Sequence, residues 1–315
     1  MYWKYVRKLQ VQKISMSKHK SATTDIADMR LSSVHSTIGL TTATASASHA
    51  NPHTTNTTTS YIGPQHGHLV IVGGNLRSSK IWQKIIDLSG GPNASIIVIP
   101  TAGGEETCNS SYPAAVTLRD LGAQNVEVLH AYDPEVAKTE EFIAPRETAS
   151  AIYFGGGRQW RLVDVYAGTQ AEVAFQSVLD RGGVISGSSA GASIMGSFLA
   201  RGDTKNNQIM MGDHTVGFGY LKNSAIDQHA LVRNRHFDMF EILKVCPELL
   251  GLAIDEDTAV IVNKNVAKVF GSTYALIYDL GFWSRDELSE EDPKTLPPPE
   301  NRFYFLREGD GYDLG

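Results

Sequence analysis

The stretch GGVISGSSAG, residues 182–191, joins a short apolar run to a turn of glycine and serine. Val184 and Ile185 are β-branched residues of the kind that fill a strand buried on both faces of a parallel sheet. The turn places Ser189 between small neighbours and leads into ASIMGSFLA (192–200), for which we predict a helix. Strand, tight turn and helix in this order are typical of a nucleophile elbow, which holds the central hydroxyl clear of the sheet.

Four earlier stretches repeat the apolar run closed by a turn. They are HLVIVGG (68–74), SIIVIPTAGG (95–104), NVEVLHA (125–131) and SAIYFGGG (150–157). Stretches with apolar residues at helical spacing lie between them, namely SSKIWQKIIDLSGG (78–91), YPAAVTLRDLGAQ (112–124) and QAEVAFQSVLDRGG (170–183). Strands that alternate with helices predict an α/β fold, a doubly wound and mostly parallel sheet.

The pattern changes after Leu250. GLAIDEDTAVIVNKNVAKVFGSTYALIYDL (251–280) predicts short antiparallel strands with tight turns such as Asn263–Asn265, added to one edge of the sheet. We predict a loop over the acidic, proline-rich residues 284–300, and a last strand at Phe303–Leu306.

The first part of the chain differs in composition from the rest. TTATASASHANPHTTNTTTS (41–60) is almost entirely small and polar and cannot bury enough apolar surface to offset the entropy of ordering. We predict a disordered, low-complexity extension over 1–66 and a folded domain over 67–315. Residues 1–20 are rich in Lys and Arg and lack the continuous apolar core of a secretory signal, so we expect a cytoplasmic protein.

Composition excludes several classes of function. The 315 residues carry a formal net charge of -6, which argues against a nucleic-acid-binding surface. No apolar run is long enough for a membrane span. The two cysteines, Cys108 and Cys246, have no metal-binding spacing and form no disulfide framework.

Glycine-rich segments follow the predicted strands at the edge where α/β sheets bind ligands. These segments are Gly73–Gly74, Thr101–Gly104, Gly155–Gly157 and Gly187–Gly191. The predicted nucleophile, Ser189, lies in the last of them, and the N–H of Ala190 is placed to donate to an oxyanion.

A nucleophilic serine needs a general base. His214, His229 and His236 are candidates, and the short apolar segment before His229 together with the arginines after it favours His229. Arg233 and Arg235 could bind a substrate carboxylate, or they could be a pair of surface cations.

The base needs a carboxylate to orient it. The candidates are Asp255, Glu256 and Asp257 in IDEDTA (254–259), with Asp203 and Asp227 as rivals. Residue chemistry alone does not choose among them. A metal site at the three clustered carboxylates lacks further ligands at suitable spacing.

Several motifs in one order resemble peptidase family S51, the family of cyanophycinase and aspartyl dipeptidase. They are VGG (72–74), FGGGRQ (154–159), GSSAGA (187–192), IDQHALVRNR (226–235) and IDEDTA (254–259). The resemblance implies a serine peptidase with a Ser–His–Glu triad on a flavodoxin-like sheet related to class I glutamine amidotransferases. It also implies a homodimer that needs no cofactor or metal.

The resemblance implies a role for each matching residue. Ser189 would be the nucleophile, His229 the base and Glu256 the orienting carboxylate. Gly156, Gly157 and Gln159 would complete the oxyanion hole and position substrate. Arg233 and Arg235 would bind a free carboxylate, as in a β-linked Asp-Arg unit removed by an exopeptidase. Two positions depart from the family pattern: Arg158 replaces an acidic residue, and Asp238 replaces a basic one.

Other functions remain open on sequence alone. An α-aspartyl dipeptidase would use the same chemistry, and a non-catalytic protein could bind acidic peptides on the same fold. Ammonia release in the manner of an amidotransferase would need a cysteine where Ser189 stands. A dinucleotide site is disfavoured because VGGN (72–75) lacks the G-x-G-x-x-G spacing.

Overall fold

The computed structural model describes residues 61–279 and 302–315. Its strands are β1 His68–Val72, β2 Ser95–Ile99, β3 Asn125–Val128, β4 Ala151–Phe154, β5 Val184–Ser188, β6 Gly196–Phe198, β7 Leu221–Gln228, β8 Leu250–Ile254, β9 Thr258–Asn263, β10 Val266–Gly271, β11 Tyr274–Tyr278, β12 Tyr304–Arg307 and β13 Gly311–Asp313. Its α-helices are α1 Ser79–Leu88, α2 Pro113–Asp120, α3 Glu140–Thr148, α4 Gln159–Tyr166, α5 Gln170–Asp180, α6 Ala190–Ser193 and α7 Met239–Leu243.

Within the described residues, eight strands form the main sheet in the order β13-β10-β9-β1-β5-β4-β2-β3. The five predicted strands β1 to β5 pair in parallel, and β9, β10 and β13 continue the sheet antiparallel beyond β1. This confirms a mixed α/β fold with a largely parallel central sheet.

Alternating side chains of β1 explain why helices cover both faces of this sheet. Val70 and Val72 pack in the same apolar cluster as α1 and α2, whereas Leu69 and Ile71 belong to the cluster that includes α4, α5 and α6. All four side chains are fully buried, and each contributes about 1.5–3 kcal/mol relative to exposure. The three predicted helices are present as α1, α2 and α5.

A second sheet, in the order β12-β11-β8-β7-β6, was not expected from the sequence. The expectation that the C-terminal strands all add to one edge of the first sheet is correct for β9 and β10 but wrong for β8 and β11. Strand β8 pairs in parallel with β7. Its residues alternate between two apolar clusters, Leu252 facing one and Ala253 the other, so β8 is buried on both faces.

The helix predicted over 192–200 is also shorter than expected. Helix α6 ends at Ser193, and Gly196 begins β6. A β-carbon at Gly196 would lie 3.1 Å from the carbonyl oxygen of Ser224, so this glycine permits β6 to approach β7. The chain therefore leaves the elbow helix after one turn and enters the second sheet.

The folded part begins earlier than the predicted boundary at residue 67. The N–H of Ile62 donates to Asn265 Oδ1 at 2.9 Å, and that of Gly63 donates to the Lys264 carbonyl at 2.9 Å. Residues 1–60 of the predicted extension, and the loop predicted over 284–300, lie outside the described residues.

Several smaller expectations can be compared with the structure. The strand predicted at Phe303–Leu306 is β12, shifted by one residue, and the following strand β13 was not predicted. Cys108 and Cys246 are free thiols. Among the described residues, no helix has the length and apolar character needed to cross a membrane.

Candidate active site

Ser189 occupies the strained turn between β5 and α6. Its backbone has φ 56° and ψ -113°, a region that non-glycine residues rarely adopt. A β-carbon at Gly187 would lie 2.4 Å from the Gly191 carbonyl oxygen, and one at Gly191 would lie 2.1 Å from that of Phe154. The two glycines of the G-x-S-x-G motif are therefore required sterically, as an elbow demands.

Three side chains far apart in sequence form one chain of hydrogen bonds. Ser189 Oγ lies 3.0 Å from His229 Nε2, and His229 Nδ1 lies 2.7 Å from Glu256 Oε1. His229 is 5% exposed, whereas Ser189 is partly open to solvent. A serine, a histidine and a carboxylate so arranged can activate the hydroxyl for attack on a carbonyl.

The segment Val72–Gly74, at the end of β1, positions both Ser189 and His229. The N–H of Ser189 donates to the Val72 carbonyl at 3.1 Å, and the N–H of His229 donates to the Gly73 carbonyl at 2.8 Å. A β-carbon at Gly74 would lie 2.2 Å from Cε1 of the His229 ring. This accounts for the VGG motif, because the imidazole packs directly on the glycine backbone.

The pKa values of the histidine and glutamate suit a base and its orienting group. Burial, with a smaller contribution from the positive charge of Arg233, lowers the pKa of His229 below its ordinary value. Burial alone would raise the pKa of Glu256, but hydrogen bonds from Asn75 and His229 outweigh it and lower that pKa. At neutral pH the histidine is thus a neutral base beside an ionised carboxylate.

The structure distinguishes the three adjacent carboxylates of IDEDTA. Glu256 alone reaches His229, while Asp255 Oδ1 and Asp257 Oδ1 each accept two backbone N–H groups. The donors are Leu231 and Val232 for Asp255, and Arg77 and Ser78 for Asp257. The two aspartates therefore anchor the chain on either side of the site and do not converge on a metal position.

The rival residues lie elsewhere. Asp203 Oδ1 accepts the N–H groups of Lys205 and Asn206, and Asp227 binds a buried arginine. His214 pairs with Asp164 at 2.8 Å. The remaining candidate histidine, His236, packs against Phe237, with ring centroids 4.5 Å apart and ring planes tilted by 54°.

The glycine strip after β4 lies beside the serine. A β-carbon at Gly156 would be 3.9 Å from Ser189 Oγ, and one at Gly157 would be 2.0 Å from the carbonyl oxygen of Ala102. Among the described residues, the N–H groups of Gly156, Gly157 and Ala190 donate to no other backbone carbonyl. Gly156 lies beside the hydroxyl and Ala190 follows the serine in the chain, and since α6 has only one turn, its dipole adds little.

Arg158 and Gln159, which directly follow the glycine strip, hydrogen-bond to the chain at residues 200–203. Gln159 is 1% exposed, and its Nε2 donates to the Ala200 carbonyl at 2.7 Å. The Arg158 guanidinium donates to the Asp203 carbonyl, so this departure from the family pattern makes a structural contact. The buried Gln159 side chain thus connects the start of α4, directly after the glycine strip, to the chain at Ala200.

The two arginines after His229 have different surroundings. Arg233 is exposed, and its charge lowers the pKa of both His229 and Glu256. Arg235 is 3% exposed and donates to the carbonyl and the side-chain oxygen of Gln228, at 3.1 and 3.0 Å. Burial lowers the pKa of Arg235 to about 10. Only Arg233 of this pair offers its guanidinium to solvent.

Arg201 anchors both ends of the His229 loop, residues 229–238, and was not singled out in the sequence. It is fully buried and holds Asp227 with two hydrogen bonds, at 2.7 and 2.9 Å, and Asp238 at 2.6 Å. Asp238, the second departure from the family pattern, is therefore the partner of an internal arginine. Only the pairing of β7 with its neighbours brings these residues together.

Asn75 is a second residue that the sequence did not reveal as part of the site. Its Nδ2 donates to Glu256 Oε2 at 2.6 Å. The local sequence offers one signal, an asparagine directly after two glycines. In the structure the backbone of this asparagine has φ 43°.

Comparison with known proteins agrees with these features. The model of peptidase family S51 matches residues 69–270, about two thirds of the chain. A cyanophycinase from Geminocystis herdmanii is 28% identical over 257 residues, covering 78% of this chain and 93% of that protein. A cyanophycinase from Trichormus variabilis is 27% identical over 260 residues, covering 78% of this chain and 85% of that protein.

Among solved structures, the chain is similar to a peptidase from an acI-B1 Actinobacterium. The TM-score is 0.59 at 22% sequence identity, and the match covers 80% of this chain and 98% of that one. This similarity supports the shared fold.

Proposed function

The chain belongs to peptidase family S51, and from this premise we propose that it is a serine peptidase that cleaves aspartyl peptides, including β-linked Asp-Arg units, through an acyl-enzyme on Ser189. The observation that carries the proposal is the hydrogen-bonded chain from Ser189 through His229 to Glu256, with distances of 3.0 and 2.7 Å. The nucleophile lies on an elbow turn, and the base is buried behind it.

Acylation begins at the hydroxyl. His229 Nε2 accepts the Ser189 proton as Oγ attacks the carbonyl carbon of the aspartyl group. The ionised Glu256 holds the proton on Nδ1 in place and stabilises the imidazolium that forms. The N–H groups of Gly156, Gly157 and Ala190 stabilise the oxyanion, an effect of about 3 kcal/mol for each well-placed donor.

Acylation is completed when the tetrahedral intermediate collapses. The imidazolium donates its proton to the departing amine, the C–N bond breaks, and the acyl group remains on Ser189. A water molecule then gives a proton to His229 and attacks the ester. The aspartyl product leaves, and the serine regains its proton, so the cycle needs no cofactor.

Arg233 supports the choice of an acidic substrate. It is the exposed cation of the His229 loop, and its charge reaches the histidine and glutamate of the site. A free carboxylate on the aspartyl residue would pair with this guanidinium, by two parallel hydrogen bonds if the approach is in plane. Similarity to cyanophycinases over 85–93% of their length supports β-aspartyl linkages.

The test is a substrate series. The purified chain is incubated separately with cyanophycin, β-Asp-Arg and an α-aspartyl dipeptide, and products are identified by mass. Release of β-Asp-Arg from cyanophycin, or of aspartate and arginine from β-Asp-Arg, supports the proposal if Ser189→Ala abolishes it. Cleavage of the α-linked substrate alone would favour an α-aspartyl dipeptidase, and binding without turnover would favour a non-catalytic protein.

A further inference from the structure

The hydrogen-bonded chain does not end at Glu256. Glu256 Oε1 faces His229, and Asn75 Nδ2 donates to the other carboxylate oxygen, Oε2, at 2.6 Å. Asn75 Oδ1 in turn accepts from Nε of Arg77 at 3.1 Å. Five side chains from four segments of the chain are thereby connected: Ser189, His229, Glu256, Asn75 and Arg77.

The chemistry of Arg77 fixes the orientation of the Asn75 amide. A guanidinium Nε can only donate, so the atom of Asn75 that faces it must be the carbonyl oxygen. The amide nitrogen therefore faces Glu256, where an acceptor stands. Both oxygens of the Glu256 carboxylate then have a directed donor, which restricts the rotamers open to this side chain.

The backbone around Asn75 is built for this contact. Asn75 has φ 43°, in the left-handed region that asparagine tolerates better than most residues. The N–H of Arg77 donates to Asp257 Oδ1 at 2.9 Å, and the N–H of Asp257 donates to the Gly74 carbonyl at 3.0 Å. Residues 74–77 are thus tied to the neighbour of Glu256 on both sides of Asn75.

We propose that Asn75, oriented by Arg77, is a positioning residue that holds Glu256 in the rotamer that supports His229. This role rests on the proposed serine-peptidase function. Asn75 and Arg77 are exposed, so water competes for their hydrogen bonds and their contribution is moderate. We expect loss of the Asn75 side chain to slow the attack of Ser189 about three- to tenfold.

The direction of the pH effect also follows from the geometry. The hydrogen bond from Asn75 keeps Glu256 against His229, and the contact with Glu256 raises the pKa of the imidazole. Without it, Glu256 leaves His229 part of the time while the positive charges of Arg233 and Arg235 stay, so the pKa of His229 falls and the acid limb of the reaction moves to lower pH. An aspartate at position 75 adds a second negative charge near the imidazolium and moves that limb to higher pH instead.

The experiment measures the rate at which a fluorophosphonate labels Ser189, as a function of pH. Asn75→Gly removes the side chain without penalising the positive φ, which Asn75→Ala would do. Asn75→Asp keeps the shape and adds charge. Asn125→Ala is the matched control, because the Asn125 side chain also donates from the surface, to the Asn93 carbonyl at 2.9 Å.

The two proposals fail in different ways. If the unaltered chain is not labelled at Ser189, the serine-peptidase function fails. If it is labelled, and Asn75→Gly and Asn75→Asp match its rate and its acid midpoint, the positioning role of Asn75 is overturned. The role is supported if both variants are slower, with the midpoint shifted to lower pH in Asn75→Gly and to higher pH in Asn75→Asp, while Asn125→Ala is unchanged.

Discussion

Gly74 lies against the imidazole of His229, so closely that a β-carbon on Gly74 would stand 2.2 Å from Cε1 of the ring. The contact comes from backbone, and backbone at the end of a buried strand cannot easily move. The position of the proposed base is therefore determined in part by the absence of a side chain at residue 74.

Gly74→Ala should consequently displace His229 and reduce labelling of Ser189 by at least about a hundredfold. The fair control is Gly91→Ala, because Gly91 also has a positive φ, 91°, but nothing lies within 4 Å of its added β-carbon. Both variants carry the conformational cost of alanine at positive φ, and only Gly74→Ala meets the ring. Equal losses of labelling in the two variants would show that the ring contact is unimportant.

The pH dependence of labelling should reflect the buried state of His229. Burial lowers its pKa below the ordinary 6.5, and the base acts only when neutral. A lowered pKa keeps the ring neutral to lower pH, so the acid midpoint of the rate should fall below pH 6.5. His214→Gln, which removes a half-buried histidine paired with Asp164, should leave the midpoint unchanged. A midpoint above 6.5 in the unaltered chain would contradict this assignment.

The elbow and the parallel sheet could be predicted because their signals are local. Each predicted strand carries its own apolar run closed by a turn. The steric contacts that require Gly187 and Gly191 involve atoms of the same turn and of the adjacent strand β4. Residues 255 to 257 could not be ranked in this way. Consecutive side chains there point in three directions, and only the packing of Val72–Gly74 against them determines which one reaches His229.

The second sheet and Arg201 could not be predicted because their contacts are long-range. Pairing of β7 with β8 is not encoded by alternation within either strand, because β7 (LKNSAIDQ) is mostly polar yet buried over its last five residues, and β8 (LGLAI) is apolar without alternation. Arg201 joins Asp227 and Asp238, which lie 26 and 37 positions away. Arg235 contacts Gln228, seven positions away, but the sequence of the loop does not show that the arginine is buried, and it therefore predicts a substrate ligand.

Removing Arg201 should be costly to stability. Arg201→Met leaves Asp227 buried without its cation, and loss of one partner of a buried pair costs about 3–5 kcal/mol. Lys138→Met breaks an exposed pair with Glu135 and should cost less than about 1 kcal/mol. The free energy of unfolding in urea measures both, and losses of equal size would argue against a special role for Arg201.

Substitution of the two arginines after His229 should affect different properties, substrate binding for Arg233 and stability for Arg235. Arg233→Ala removes an exposed cation and should raise KM for aspartyl substrates about tenfold, with the unfolding midpoint unchanged. Arg235→Ala leaves the buried Gln228 oxygens without a donor and should lower the free energy of unfolding by about 1–3 kcal/mol. If Arg235→Ala raised KM at unchanged stability and Arg233→Ala had no effect, the assignments would be reversed.

The most direct measurement is the site of covalent labelling. The full chain is treated with a fluorophosphonate, digested and analysed by mass spectrometry, in parallel with the variants Ser189→Ala and Ser193→Ala. Ser193→Ala is the control, because it removes a buried hydroxyl four residues away that has no hydrogen-bond partner among the described residues. We predict one adduct, on Ser189, and we expect Ser193→Ala to retain it. Ser189→Ala should lose both the adduct and the hydrolysis of aspartyl peptides. Hydrolysis that persists in Ser189→Ala, or an unlabelled Ser189 in an active preparation, would contradict the assignment of this serine as the nucleophile.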